Sequence, residues 1–329
     1  MATYQTAIPV IGLRESLADF IENISPEETP VFSMARKGKI NATFEEWQTD
    51  VNAAASATNA IIEGADATYP TPTATLRLGN YVQTARKDFK VSTMLDMVDK
   101  AGRATETKYQ TFKQGQELKT DVEASLCQAT AAVARATSTA GRSASLELFA
   151  WAVNNVSSAT GAHSSGATPG ATTVVTAGAP TTAVTDGTLR DLTEAQVKAT
   201  LSDGYGKGAR YKMAIMGPAL KQAFGSLAGL ANVRNNVAAS KGKQAVIIGA
   251  ADVYVSDFGD IALVPSQFTR SRTVLFLDPE AIEVKLGRRF KTEELAKTGD
   301  ADGRQIITDF TLCVRNPRGI AKIADVEPA

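Results

Sequence analysis

An α+β fold is what this sequence predicts, and three observations carry the prediction. Residues 100–135 form one long helical pattern without proline. Extended patterns flank it in the chain, at 40–92 and 280–326. Between the helix and the second of these, residues 188–277 alternate helical and strand patterns as a compact α/β unit does.

Residues 1–39 read as an arm. Leu13, Leu17, Phe20, Ile21 and Ile24 give a short amphipathic helix that Ser25-Pro26 stops. Pro30, Val31, Phe32 and Met34 follow, then the basic patch Arg36-Lys37-Gly38-Lys39. The arm has apolar side chains but too few residues for a core of its own, so it must lie on something else. Residues 40–92 read as a long two-stranded loop. Its first strand is Ala42–Val51, and its second runs through Leu76, Leu78, Tyr81, Val82, Phe89 and Val91. No neighbouring element covers these strands, and an isolated hairpin is marginal in water. The simplest partner is another copy of the chain. Phe20 and Phe32 on the arm, with Trp47, Leu76, Leu78 and Tyr81 on the loop, are therefore the expected inter-subunit contacts.

In 100–135, Tyr109, Phe112, Leu118, Val122, Leu126, Ala129 and Val133 recur at steps of mostly three and four. At 1.5 Å per residue such a helix runs about 54 Å, so it is a strut across a thin molecule. Residues 136–186 are rich in Ala, Ser, Thr and Gly, with the apolar island Leu146–Val153; 157–187 is of low complexity and reads as flexible. In the α/β unit, Thr193-Glu194-Ala195-Gln196 is a capping box, with Leu192 and Val197 as its hydrophobic staple. Tyr211–Met216 is a strand, and Gly217-Pro218 opens the helix Ala219–Leu230. Val246–Ile248 is apolar, Val253–Ser256 and Ile261–Val264 form a hairpin, and Thr273–Leu277 is a strand. In 280–326, Ile282, Val284 and Leu286 alternate with Glu283 and Lys285. A ten-residue strand with Ile306, Phe310, Leu312 and Val314 on one face ends at Asn316-Pro317.

Composition excludes several functions. The 329 residues carry 35 Lys+Arg and 35 Asp+Glu, so no chain-wide basic footprint for nucleic acid exists. The start has no basic run before its apolar segment, unlike a signal peptide, and no apolar run nears 18 residues. Cys127 and Cys313, the two cysteines, make no disulfide framework and read as small core residues. The single histidine, His163, has no ligand partners in its Ala/Ser/Gly tract. Gly204-Tyr205-Gly206-Lys207-Gly208 lacks the spacer and the final Lys-Ser/Thr of a phosphate loop, and follows a helix instead of a strand. Glu45, Glu46, Glu63 and Asp66 read as solvated loop charges. Arg288, Arg289 and Lys291 read as a solvated strand edge, with a neighbouring subunit or packaged nucleic acid as the rival partner. No nucleophile meets a base and an orienter, so neither an active site nor a cofactor or metal site is expected.

Arm, two-stranded loop, long helix, α/β unit and closing strand, in that order, resemble the major capsid proteins of tailed double-stranded DNA bacteriophages with the Hong Kong 97-like fold. The stretches FSMARKGKINATFEEWQTD at 32–50, EGADA at 63–67, AGRATE at 101–106, ELKTDVEASL at 117–126, VYVSDFGDIALVP at 253–265 and EELAKTGDADGRQIITDFTL at 293–312 resemble one subfamily of them. The resemblance implies an N-terminal arm at 1–39, an extended loop at 40–92 and a peripheral domain at 93–187. The spine helix at 100–135 and an insertion at 156–187 fall within that domain. It further implies an axial domain at 188–279 and a return to the peripheral domain at 280–329. It also implies a virion protein, folded in the bacterial host cytoplasm, that self-assembles through pentamers and hexamers around packaged DNA without sequence specificity. Its implied partners are a separate scaffolding protein, since the short arm leaves no room for a fused one, a portal and a cement or decoration protein, with no membrane. Some members of this fold join a loop lysine to a neighbour's asparagine; here no lysine lies between Lys39 and Lys87, so a non-covalent shell is expected. A nanocompartment shell of the same fold, and an α/β enzyme with an oligomerisation arm, are the rival expectations.

Overall fold

The computed structural model describes residues 28–327 except 51, 54, 65, 68, 70, 73, 101, 151–177, 185, 188, 228–252 and 298. The expected helix over 13–24, Phe20, His163 and the segment Val246–Ile248 lie outside the described residues.

Two five-stranded sheets organise the chain. The first contains β1 (Arg36–Lys39), β4 (Gln83–Ser92), β10 (Ile282–Leu286), β11 (Lys291–Glu294) and the central strand β12 (Ala301–Val314). β12 pairs antiparallel with β10 and β11 on one side and with β4, from Ala301↔Ser92 to Phe310↔Gln83, on the other. The helix α3 (Glu106–Cys127) lies across β4 and β12. Its Val122 and Leu126 join Val284, Phe310, Leu312 and Val314 in one core. Each such side chain, fully buried, is worth about 1.5–3 kcal/mol. The short helices α1 (Pro30–Met34) and α4 (Leu146–Phe149) complete that core, and α2 (Thr93–Met97) sits between β4 and α3.

The second sheet runs β13 (Ile320–Ala324), β9 (Thr273–Leu277), β6 (Met213–Met216), β8 (Gly259–Pro265) and β7 (Val253–Ser256). The helices α5 (Glu194–Gly206) and α6 (Pro218–Ser226) cover one face. There Val197, Leu201, Leu220 and Phe224 pack on Met216, Phe276 and Ile323. The other face, with Ile215, Leu275, Leu277 and Ile320, joins the core of the first unit, so the two units share buried surface. Two small ladders finish the architecture. β2 (Phe44–Thr49) pairs with β3 (Leu76–Tyr81), and β5 (Arg190–Asp191) pairs with β14 (Val326–Glu327).

Several local expectations hold. In the capping box of α5, Thr193 Oγ1 accepts the Gln196 N–H at 3.4 Å and Gln196 Oε1 accepts the Thr193 N–H at 3.1 Å. Pro218 opens α6, and the β10 alternation of buried and half-buried residues matches its pattern.

Other expectations are corrected. The long helix is 22 residues, not 36. Gly102, with φ of 79°, interrupts the chain before it. Past Cys127, tertiary hydrogen bonds overrule the helix propensity of the alanine-rich segment. The Ala132 N–H goes to the Pro180 carbonyl, and Val133 exchanges both its backbone bonds with Arg142. Of the predicted stripe, Leu118, Val122 and Leu126 are fully buried, but Phe112 is 66% exposed. The loop strands are not uncovered: β4 finds β12, a partner more than two hundred residues on in sequence. β1, read as the end of the arm, pairs parallel with β10. Residues 320–327 do not return to the first unit; β13 adds to the second sheet beside β9. β12 is fourteen residues long and buried on both faces around Thr311 and Leu312.

Candidate assembly surfaces

The arm root is anchored inside its own chain. Glu123, fully buried on α3, accepts the N–H groups of Val31 at 2.8 Å and Phe32 at 2.7 Å, at the first turn of α1. Burial pushes its pKa up, against the pull of those bonds and of the Lys37 ammonium. Lys37 donates to the Phe32 carbonyl and sits over the Phe32 ring, 3.6 Å from its centroid. Phe290 holds a left-handed backbone, with φ of 41°, and its ring meets Phe32 edge-on at 5.9 Å. Phe32 is therefore a core residue of its own chain, not the neighbour contact expected of it.

The loop root is anchored as firmly. Leu78 is fully buried, which removes it from the expected inter-subunit contacts. Beside it, the Asn80 side chain ties three segments together. Its Nδ2 donates to Ser143 Oγ at 3.0 Å and to the Leu312 carbonyl at 2.8 Å, and its Oδ1 accepts the Ala144 N–H at 2.8 Å. Gly79 has no side chain because the Phe44 ring lies where a Cβ would go, at 2.4 Å. Tyr81 meets that ring at 4.6 Å and is half-buried. Trp47 packs on Phe149 of α4, 5.9 Å between centroids, so the tryptophan finds its apolar partner within the chain. Leu76 is half-buried at the outer end of the ladder.

Glu45 is not a solvated charge. It is buried and accepts the N–H groups of Asn41 at 2.5 Å and Ala42 at 2.8 Å, with Lys285 at 2.7 Å. Burial works against its charged form, yet Lys285 and the two amides hold the carboxyl below its usual value. Arg288 is likewise engaged internally, in a two-pronged contact with Asp309 at 2.6 and 2.9 Å.

Beyond these roots the surface changes character. At the loop tip Ile61 is 85% exposed, Ile62 82% and Tyr69 91%. At the far end of the first sheet, Met94, Leu95, Met97 and Val98 of α2 and its flank are exposed with Phe112. On β7, Val253 and Val255 are exposed, and a cavity of about 480 Å³ opens between that strand and α5, lined by Glu194, Lys198, Tyr254 and Phe258 among others. Isolated monomers rarely carry several such patches.

A charged seam joins the two units. Arg270 bonds Glu147 of α4 at 3.0 Å and also pairs with Asp186. Arg272 reaches Asp186 at 3.2 Å and Asp325 at 2.8 Å. The fully buried Lys322 of β13 donates to the Glu147 carbonyl at 2.7 Å. Sequence reading missed this seam, because its members come from four distant segments. The only local signal is a lysine amid the apolar Ile320-Ala321-Lys322-Ile323-Ala324.

Among the described residues, no group of three or more His, Cys, Asp or Glu is placed to hold a metal ion, and no helix is long and apolar enough to cross a membrane. Cys127 and Cys313 are buried free thiols. Burial pushes both pKa values up, that of Cys313 to about 12.

Three comparisons with known proteins bear on these surfaces. The model of a family described as SU10 major capsid protein matches residues 1–327. The major capsid protein of Escherichia phage Phieco32 is 38% identical over 112 residues, a match that spans 34% of this chain and 32% of that relative. Solved structures share the fold at low identity. The capsid asymmetric unit of cyanophage A-1(L) has a TM-score of 0.66 at 15% identity, covering 95% of this chain and 97% of that one. The capsid of a native GTA particle gives 0.60 at 11% identity, covering 100% of both. Gordonia phage Cozz gives 0.58 at 11%, covering 100% of this chain and 99% of that one.

Proposed function

This chain belongs to the SU10 major capsid protein family, and on that premise we propose that it builds the icosahedral head of a tailed phage from pentamers and hexamers of itself. It is a structural protein of the virion. The observation that carries the reading within the chain is the loop tip, where large apolar side chains stand in water on a well-anchored stalk. Such side chains gain stability only when another surface covers them.

On this reading the unit around β12 and α3 is the peripheral domain and the unit around β6 and β9 the axial domain, with 320–327 assigned to the latter. The loop tip between Thr49 and Leu76 reaches to neighbours from a root held by Asn80, and Glu123 holds the chain at Val31 and Phe32. The balanced charge of 35 basic and 35 acidic residues lets many copies approach without strong mutual repulsion. A separate scaffolding protein, a portal, a cement protein and packaged double-stranded DNA are the partners this role calls for, and the bacterial cytoplasm is the place of assembly.

The test is assembly of the purified chain. Light scattering and electron microscopy should find megadalton shells, or capsomers of five and six. A stable monomer at working concentrations overturns the proposal.

A further inference from the structure

β7 is an outer strand of the second sheet, and among the described residues it pairs with β8 alone. The opposite outer strand, β13, is buried at every residue, whereas Val253 and Val255 of β7 are exposed. Alternate residues of such a strand turn their N–H and C=O groups away from the sheet. Natural edges are blunted against stray pairing by a lysine, a proline or a bulge. Val253-Tyr254-Val255-Ser256 has neither lysine nor proline, and its register runs from Val253↔Ala262 to Ser256↔Gly259 without an extra residue. This edge is open to another strand.

A helix walls that edge. The cavity of about 480 Å³ is lined on one side by β7 from Val253 to Ser256. Glu194, Lys198, Leu201 and Ser202, which share one face of α5, line the other side. Four strand residues span about 13 Å. Both walls are fixed before anything binds. The capping box sets the start of α5, and Tyr254 meets Phe224 of α6 edge-on at 5.5 Å. Ser256 Oγ donates to the Gly259 carbonyl at 2.7 Å and accepts the Phe258 N–H at 3.3 Å, which closes the turn after β7. Phe258 in turn meets Tyr205 of α5 at 4.9 Å between centroids, so this pair of rings bridges the two walls.

The charges at the groove are unequal. Glu194 pairs with Lys198 at 2.7 Å, which leaves the Asp257 carboxylate without an ion pair among the described residues. Glu194, by bond and by charge, and then Asp257 hold the Lys198 ammonium above its ordinary pKa. Two carboxylates against one ammonium make the groove a better host for a basic side chain than for an acidic one.

We infer that the β7–α5 groove takes an extended segment of a partner protein as an added strand, with apolar side chains against Leu201 and Phe258 and a basic one toward Asp257. Backbone bonds from the open edge of β7 supply affinity in this mode, and the walls choose the side chains. The groove is rigid, so little ordering opposes the docking. It takes such a segment whether or not the chain forms a shell.

The test titrates fluorescent, end-blocked pentapeptides of alternating valine and lysine into the full chain, both as assembled particles and as dissociated subunits, with anisotropy as the readout. Both forms should bind, at least about tenfold more tightly than they bind the matching valine–glutamate peptide. The lysine peptide N-methylated at every amide keeps its charge but cannot pair with a strand, and should not bind. Asp257→Lys should weaken binding by about tenfold or more, while Asp88→Lys on β4 of the first unit should leave it unchanged. No saturable binding up to millimolar peptide, equal binding of the N-methylated peptide, or equal losses in the two variants each overturn the inference. The N-methylated peptide needs no variant, so it decides the matter if Asp257→Lys fails to fold. Binding to subunits but not to particles would give the groove to a neighbouring copy and overturn the partner protein as its occupant. A chain that does not assemble would count against the shell reading, and its peptide binding would still decide this one.

Discussion

Lys322 carries an ammonium into the fully buried seam between the two sheets, where it donates to the Glu147 carbonyl at 2.7 Å. Burial lowers its pKa from 10.5 to about 8; the Glu147 carboxylate resists that shift and the Arg270 guanidinium adds to it. Between those two values the unfolded chain binds more protons than the folded one. Stability therefore rises with pH across the window from about 8 to 10.5, by up to about 3 kcal/mol, and is insensitive to this group below it. Lys322→Met should flatten that rise. Urea midpoints of the dissociated subunit at both ends of the window check it, and equal slopes for the two proteins would sink the assignment. Residues of this kind are the least legible in sequence. Nothing local to Asn80 or Glu45 tells that each closes a contact with a segment far along the chain, and Lys322 shows locally only as a lysine amid apolar neighbours. Glu45 looks solvated until Lys285 is seen 2.7 Å away. By contrast Cys127, Cys313 and Leu126 are legible as core from their neighbours alone, since apolar burial depends on pattern and not on one partner.

Elements stand between these extremes. Strand alternation, the α5 capping box and Pro218 at the start of α6 are short-range signals, and the structure follows them. The stop of α3 is long-range, since Pro180 and Arg142 take the backbone groups that a longer helix would use internally. The loop strands show the same asymmetry. Their extended character is readable, but the pairing of β4 with β12 is not, and neither is the contact of Trp47 with Phe149. That contact changes the expectation for Trp47. Were the side chain held only by a neighbouring subunit, Trp47→Ala would leave the isolated chain as stable as before. Half-buried on Phe149, it should instead cost the dissociated subunit about 1–3 kcal/mol, less than a fully buried aromatic loses. Chemical denaturation followed by circular dichroism measures this. An unchanged midpoint would mean the β2–β3 ladder does not rest on α4.

For the whole molecule, the question is what locks one copy to the next. A covalent lock between side chains needs a reactive amine or thiol that a neighbour can reach. The loop offers no lysine between Lys39 and Lys87. Among the described residues, two lysines have pKa values lowered to about 8, the direction that favours a nucleophile, but both are committed within the chain. Lys37 donates to the Phe32 carbonyl and covers its ring, and Lys322 is fully buried in the seam. Both cysteines are buried thiols with raised pKa values, unsuited to disulfide exchange. The apolar tips and patches, in contrast, are exposed and numerous. The shell is therefore expected to be held by burial of those surfaces alone, multiplied over many copies. Particles boiled in detergent without reductant should release a single band at 34.7 kDa. A ladder of dimers, pentamers and hexamers on that gel would refute a non-covalent lock and point to a reactive group elsewhere in the chain.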